Sequence, residues 1–347
     1  MALRIERVLI VQTAFIGDVI LATPLAEAIA AMFPGCQCDY VVIPAACNLL
    51  EQNPNVHKVW SYDKRGRQRG VVALWRFARA LRQQDYDVAL VPHRSLRSAV
   101  LVRLAGIPRR IGFDRSAGWF LFSDIVKYRQ THEVERNLDL LAQLGEFPSR
   151  VVPRIYWNEE DEQALINCLA GVVDTDYLFA IAPGSVWPTK RWPPERFAEL
   201  AKALNAASQT AVLLIGGDGD RELCEAIRQL TGGRCINTAG QLTLRQSAAL
   251  LSKCRLLISN DSAPTHLGIA SGCRVLTIFG PTVPRFGFYP YGQSDGVAEL
   301  DLPCRPCTSH GSRHCPLGTH ACMEDLSVAM VLQKVEAILS DETALGK

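Results

Sequence analysis

The chain has 347 residues, an apolar fraction of 48% and a formal net charge of +2, enough for two ordinary domains with well-filled cores. No apolar run approaches the roughly 18 residues that a bilayer-crossing helix requires, which excludes an integral membrane protein of helical type. Met1–Arg7 leads directly into a strand-like run, so the sequence predicts no signal peptide and a cytoplasmic protein.

In chain order the first half alternates strand and helix patterns. Val8–Gln12 reads as a strand and Val19–Phe33 as one amphipathic helix, stopped by Pro34-Gly35. Strands follow at Asp39–Ile43 and Lys58–Tyr62, a helix at Val71–Gln83, a strand at Val88–Val91 and a helix at Leu96–Leu104. An extended segment near Val151–Trp157 gives way to Asn158-Glu159-Glu160-Asp161, a capping side chain with an acidic first turn. The domain boundary is placed there, giving domains 1–157 and 158–347. The second half repeats the alternation. Strands are expected at Phe179–Ala182, Ala211–Gly216, Arg255–Ser259 and Val275–Phe279. Helices are expected at Pro194–Asn205, Arg221–Leu230, Leu244–Lys253, from about Pro264, and at Val328–Leu339. The last helix is a candidate to cross back onto the first domain. This order argues for an α/β chain of two Rossmann-like units with parallel sheets, facing a shared cleft.

Charge is uneven between the halves. Residues 1–157 hold 21 Lys/Arg and 14 Asp/Glu, and residues 158–347 the remaining 16 and 21. The basic first half points either to an acidic partner or to an unevenly solvated surface.

In an α/β sheet, ligands gather where strands end and helices begin, and each such junction here carries polar groups. After the first strand comes Thr13-Ala14-Phe15-Ile16-Gly17-Asp18. Gly17 permits close backbone approach or a positive φ. Asp18 is either a helix cap or a carboxylate at the sheet's edge, placed to act as a general base. The segment lacks Gly-x-Gly-x-x-Gly, which argues against an NAD enzyme. Pro183-Gly184-Ser185 through Thr189-Lys190-Arg191-Trp192-Pro193 joins glycine, hydroxyls and two cations, a pattern suited to a pyrophosphate. Asp218 follows a strand and is either a ribose or amine ligand or a plain turn residue. Asn260-Asp261-Ser262 ends another strand and opens the helix carrying His266, where first-turn amides favour an anion.

Asp-x-Asp, a possible metal clamp, occurs at Asp85–Asp87, Asp174–Asp176 and Asp218–Asp220; only the last follows a strand, and it reads as a turn plus helix cap. Cys304, Cys307, Cys315 and Cys322 form a cluster compatible with structural zinc, with reduced thiols or with a local disulfide, and without a catalytic role. Of the basic groups in the first half, Lys64–Arg69 is either a solvated loop or an acceptor contact. Arg94 and Arg97, just past a strand, and Arg109-Arg110 are candidates to meet an anionic acceptor.

Together, Ile16-Gly17-Asp18, Pro-Gly-Ser…Thr-Lys-Arg-Trp-Pro, Asn260–His266 and Phe279-Gly280-Pro281-Thr282 resemble the ADP-heptose:lipopolysaccharide heptosyltransferases of glycosyltransferase family 9. The likeness spans nearly the whole chain; Lys-Arg-Trp-Pro and the Cys-rich tail look most like heptosyltransferase II. One departure is Ala263, where glycine is usual. The resemblance implies a GT-B fold and inverting heptosyl transfer, with neither metal nor cofactor. It implies ADP-heptose and a lipopolysaccharide inner-core acceptor as partners, no nucleic acid, and peripheral contact with the inner membrane. By the same resemblance Asp18 is the base, while their place at the sheet's edge puts Gly17, Arg94 and Arg97 toward the acceptor. Ser185 and Lys190 match positions near the diphosphate, with Lys190 also catalytic, and Thr189 and Arg191 beside them supply further donors. Asp218 and Leu242 flank the adenosine, and Asp261, Ser262 and His266 face diphosphate and heptose.

Overall fold

The computed structural model describes residues 5–169, 172, 175, 177–206, 209–292 and 295–345. It divides into two compact units, Met1–Tyr156 and Trp157–Lys347.

In unit 1 the elements are β1 (Arg7–Gln12), α1 (Ile16–Ala22), α2 (Pro24–Met32), β2 (Gln37–Val42), β3 (Lys58–Ser61), α3 (Val71–Arg82), β4 (Val88–Val91), α4 (Leu96–Leu104), β5 (Arg109–Phe113), β6 (Asp124–Val126) and α5 (Glu133–Asp139). The strands form one parallel sheet in the order β3-β2-β1-β4-β5-β6. Residues of β1 and β4 are buried on both faces, as a sheet covered by helices demands. Leu74, Phe77, Ala78 and Leu81 of α3 pack with Val102, Leu101 and Ala105 of the α4 region on one face.

The single helix expected over Val19–Phe33 is two. Pro24 lacks the N–H that would reach the Ile20 carbonyl and its ring would crowd it. That carbonyl is taken instead by the Thr23 N–H (3.1 Å) and hydroxyl (2.8 Å). The break leaves the carbonyls of Leu21 and Ala22 without helical partners; Asn137 Nδ2 donates to the first (3.0 Å) and Tyr40 Oη to the second (2.8 Å). A buried helix end is thereby satisfied by α5 and β2.

Unit 2 contains α6 (Glu159–Leu169), β7 (Tyr177–Ala182), α7 (Pro194–Leu204), β8 (Thr210–Leu214), α8 (Arg221–Leu230), β9 (Ile236–Asn237), α9 (Leu244–Leu251), β10 (Leu256–Asn260), α10 (Ala263–Ala270), β11 (Val275–Ile278), β12 (Gly296–Ala298), α11 (Ala321–Glu324) and α12 (Val328–Leu345). Its sheet is parallel with the order β12-β11-β10-β7-β8-β9. α12 packs against β12 and α7 of this same unit, placing Val331, Val335 and Ile338 in its core. That is where the helix considered for a crossover finds its apolar partners. Among the described residues no helix is long and apolar enough to cross a membrane.

Candidate active site

In unit 1 the loops after β1 and β4 bring polar side chains together at the carboxyl edge of the sheet. The Phe15 N–H donates to Asp18 Oδ2 (3.1 Å), so Asp18 does cap α1. One carboxylate oxygen is used this way. Burial raises the Asp18 pKa, while the Phe15 and Asp18 amides and then Arg94 and Arg136 oppose the rise. Gly17 is a buried helical residue of α1 and is not among the glycines with positive φ; its part is to keep that turn slim rather than to supply a left-handed backbone.

Around Asp18 the structure adds groups that sequence patterns did not single out. Glu133 opens α5 and forms a buried ion pair with Arg136 (2.7 Å). Burial pushes its carboxyl up to about 7; Arg136 counters this, and Asp18 adds to it. Arg94 and Arg136 lie over the Tyr128 ring at 4.4 and 4.7 Å from its centre, stacking that spreads both guanidiniums beside the carboxylates. Across the loop, Thr13 Oγ1 meets His93 Nδ1 (3.0 Å) and accepts from Lys64 Nζ (3.4 Å). Burial, then Lys64 and Arg94, lowers the His93 pKa to about 4, so that ring is neutral near pH 7. Arg97 donates to Tyr62 Oη (2.6 Å) and to the carbonyls of Gln68 and Gly70 (2.8 and 3.2 Å), fixing the 64–70 loop at this edge.

The pair Arg109-Arg110 is not at this site. Arg109 binds Asp124 (3.0 Å) and the Gln143 carbonyl, and Arg110 binds the carbonyls of Leu121, Ile107 and Pro108. Both clamp the β5–β6 edge. Asp87 of the first Asp-x-Asp receives the N–H groups of Glu6 and Arg7 at the start of β1. Asp174 and Asp176 lie outside the described residues.

In unit 2 the ends of β7 and β10 meet. Lys190 Nζ donates to Asp261 Oδ2 (2.6 Å) and approaches the Asp261 carbonyl (3.3 Å); both side chains are about nine-tenths buried. Thr282 Oγ1 donates to the same carboxylate oxygen (2.6 Å). Thr282 stood in a recognised motif without an assigned role. Asn260 accepts from the Trp192 N–H (3.1 Å) and donates to the Pro183 carbonyl (2.8 Å). Ser262 Oγ donates to Gly184 O (3.3 Å). These bonds stitch loop 183–192 to the β10–α10 junction. Ser262 is the N-cap of α10 with extended backbone, but no side chain caps that first turn. His266 is buried there; burial and then Lys190 lower its pKa to about 3, so it is a neutral donor and acceptor. Ala263 is the first residue of α10.

The remaining residues that the resemblance assigns to the donor fall on the same edge, with different bonding. Arg191 donates twice to the Ser185 carbonyl (2.8 and 2.6 Å), closing the loop. Thr189 Oγ1 is already committed: it donates to the Ser312 carbonyl and accepts its N–H. It anchors the Cys-rich segment instead of offering a free hydroxyl. Asp218 is exposed beyond β8 and pairs with Arg221 (3.0 Å), which also reaches the Gly240 carbonyl; Leu242 follows two residues later, before α9. Asp220 accepts the Gly217 N–H (3.0 Å) and fills the space at Gly184, where a Cβ would sit 2.2 Å from Asp220 Oδ1. It stands at the expected N-cap position of α8, but its carboxylate closes the turn before that helix instead of capping it.

The segment 304–322 packs on loop 183–192 and on the chain after β11. Arg305 binds the carbonyls of Gly280, Leu300 and Thr282, and His320 Nε2 lies 2.8 Å from the Thr189 carbonyl. Its four cysteines are unbridged, and among the described residues no three His, Cys, Asp or Glu groups are arranged to hold a metal ion.

Residues 74–317 match the family Glycosyltransferase family 9 (heptosyltransferase). The chain belongs to glycosyltransferase family 9. It is a glycosyltransferase, of a family described as heptosyltransferases. Among its relatives, lipopolysaccharide heptosyltransferase 2 of Salmonella typhimurium is 26% identical over 97% of this chain and 99% of that protein. Lipopolysaccharide heptosyltransferase 1 of Pseudomonas aeruginosa is 29% identical over 87% and 86%. A family 9 glycosyltransferase from Veillonella parvula superposes with a TM-score of 0.84 at 25% identity, covering 98% of this chain and 99% of that one. ADP-heptose LPS heptosyltransferase II of Escherichia coli gives 0.80 at 24% identity, over 97% and 100%. The two six-stranded parallel sheets of this family 9 chain are thus those of the GT-B heptosyltransferases.

Proposed function

We propose that this family 9 enzyme moves a heptosyl group from ADP-L-glycero-D-manno-heptose to the inner-core heptose of a lipopolysaccharide precursor, with inversion and without a divalent metal, at the cytoplasmic face of the inner membrane. The observation that carries the reading is the pair of sites built at the carboxyl edges of the two sheets. One is a carboxylate among arginines, Asp18 with Arg94 and Arg136; the other is a cation-bearing strand–helix junction, Lys190 with Asp261 at α10. A single displacement needs these two chemistries. In this reading Asp18 takes the proton of the acceptor hydroxyl as its oxygen bonds to the anomeric carbon. The bond from that carbon to the diphosphate oxygen breaks, and the electron pair leaves with ADP. Lys190, Arg191 and the first turn of α10 meet the growing negative charge. Arg94 and Arg97 hold the acceptor's anionic groups. An Escherichia coli heptosyltransferase whose structure carries ADP-2-deoxy-2-fluoro heptose shares this fold, with a TM-score of 0.72 at 21% identity.

The relative of type 1 at 29% identity supports a second reading, in which the acceptor carries no heptose. Mass spectrometry of products from ADP-heptose with defined acceptors bearing no heptose or one heptose separates the two. A heptose added only to the heptose-bearing acceptor is the expected result. Addition to the bare acceptor alone supports the second reading, and turnover of UDP-glucose but not ADP-heptose overturns both.

A further inference from the structure

α3 has a face that the transfer reaction does not use. Its buried side is formed by Leu74, Phe77, Ala78 and Leu81. The opposite side exposes Val71 (79%), Val72 (64%) and Trp75 (52%), interleaved with exposed Arg76, Arg79 and Arg82. From Lys64 to Arg82 the chain holds seven Lys or Arg residues and no Asp or Glu. The Arg79 guanidinium lies 5.8 Å from the centre of the Trp75 ring. Trp75, Arg79, Arg82, Gln83 and Leu104 line an open cavity of about 380 Å³, which brings apolar side chains and two guanidiniums together.

Exposed valines beside an indole lose free energy in water, so a packed apolar partner is expected on this face. The surrounding charge is of one sign, so the partner carries negative charge. A surface that is apolar within and anionic at its skin satisfies both. Helices of this kind lie in the plane of a bilayer interface, with the apolar side chains inserted and the long cations reaching up to phosphates. Nucleic acid answers the charge, but it gives Val71 and Val72 nothing to pack on.

We infer that α3, with the loop 64–70 before it, is the surface by which this protein docks on an anionic lipid bilayer, lipid phosphates sitting between Arg79 and Arg82 beside Trp75. The loop is tied by Arg97 to the edge of the sheet that carries Asp18, so docking presents that edge to acceptors anchored in the same bilayer. In that last consequence the inference rests on the acceptor reading above; the docking itself does not.

The test is co-sedimentation of the full chain with mixed phosphatidylglycerol–phosphatidylcholine vesicles and with phosphatidylcholine vesicles. Binding to the first and not the second, weakened by salt, is expected. Arg76→Gln/Arg79→Gln/Arg82→Gln lowers partitioning about a hundredfold, roughly fivefold per guanidinium. Val71→Ser/Val72→Ser/Trp75→Ser lowers it at least about tenfold. Both variants keep wild-type turnover on a deacylated, water-soluble acceptor, which shows that they are folded. The inference is overturned if the wild type ignores anionic vesicles, if folded variants bind them as the wild type does, or if the face captures single-stranded DNA and not vesicles. Vesicle binding without any heptosyl transfer leaves the docking surface standing and removes the acceptor reading instead.

Discussion

At the scale of single residues, Asp18 is compatible with both readings that sequence analysis set as alternatives. It caps α1 through Oδ2, and it sits among Arg94, Arg136 and Glu133, the surroundings in which we propose that it deprotonates an acceptor hydroxyl. Asp18→Asn keeps the oxygen that receives the Phe15 N–H and loses the base. Turnover should fall by about 10²-fold or more with the fold intact, measured by steady-state kinetics beside circular dichroism. Near-normal turnover would leave Asp18 as a cap only. Glu133 is its acidic neighbour. Its carboxyl is raised to about 7 by burial, against Arg136, with the Asp18 charge adding to the rise. Because Asp18 must be ionised to accept a proton, the rate falls as pH drops through its raised pKa. Below about 7 Glu133 is protonated and uncharged, so Glu133→Gln should leave the acid limb set by Asp18 in place and remove any inflection of the pH–rate profile near 7. Stability responds in step. A carboxyl raised from 4.5 to about 7 on folding contributes stability below pH 4.5 that is lost as pH rises through 7, and the Glu133→Gln variant, with no carboxyl to ionise there, escapes that loss. An inflection near 7 that persists in the variant would show that it does not belong to Glu133.

At the scale of elements, the junction of β10 and α10 is held by the Lys190–Asp261–Thr282 cluster, and Lys190 is as much a part of its structure as of its charge. Removing one member of a buried pair strands the other, so Lys190→Met and Asp261→Asn should each cost about 3–5 kcal/mol in denaturant unfolding. The double variant should cost clearly less than their sum, since neither charge is then left unpaired. Strict additivity would mean that the pair is not coupled. This reshapes the reading of Lys190 from sequence: the position was legible in Thr189-Lys190-Arg191, but its partner 71 residues away was not. The same holds across the fold. Periodicity located α3, β4, α4 and α8 to within a residue, because long apolar-faced segments announce themselves. It missed β5 and the edge strand β6, where Arg109, Arg110 and Asp124 put charge into short strands that meet only in three dimensions. It missed β9, two residues long, and the short helix α5, whose Glu133 and Arg136 join the site only by packing under Tyr128. Pro24 was present to be read, yet the apolar pattern running through it suggested one helix where the proline made two.

At the scale of the whole molecule, the two units repeat one topology. Counted within each unit, both sheets run in the order 3-2-1-4-5-6, so each has a switch point between its first and fourth strands. Every principal site residue sits beside one of those two points. Asp18 follows β1 and Arg94 follows β4; Lys190 follows β7 and Asp261 directly follows β10. The same crevice has been furnished twice, with a carboxylate among cations in one unit and a cation-bearing, uncapped helix start in the other. The proposed reading divides the ligands accordingly. In it a diphosphate is drawn to the second, where Lys190 stands at the start of α10 and His266 remains neutral. A hydroxyl that must lose a proton is drawn to the first. Hydrogen exchange on the full chain can read this division directly, because ligands slow the local openings that let amides exchange. ADP alone should protect residues 183–192 and 260–266, leaving 13–18 and 93–97 unchanged. A deacylated acceptor alone should do the reverse, with 64–70 joining the protected set through Arg97. Protection of 13–18 by ADP, without protection of 183–192, would reverse the assignment of donor and acceptor and with it the role of Asp18 as base.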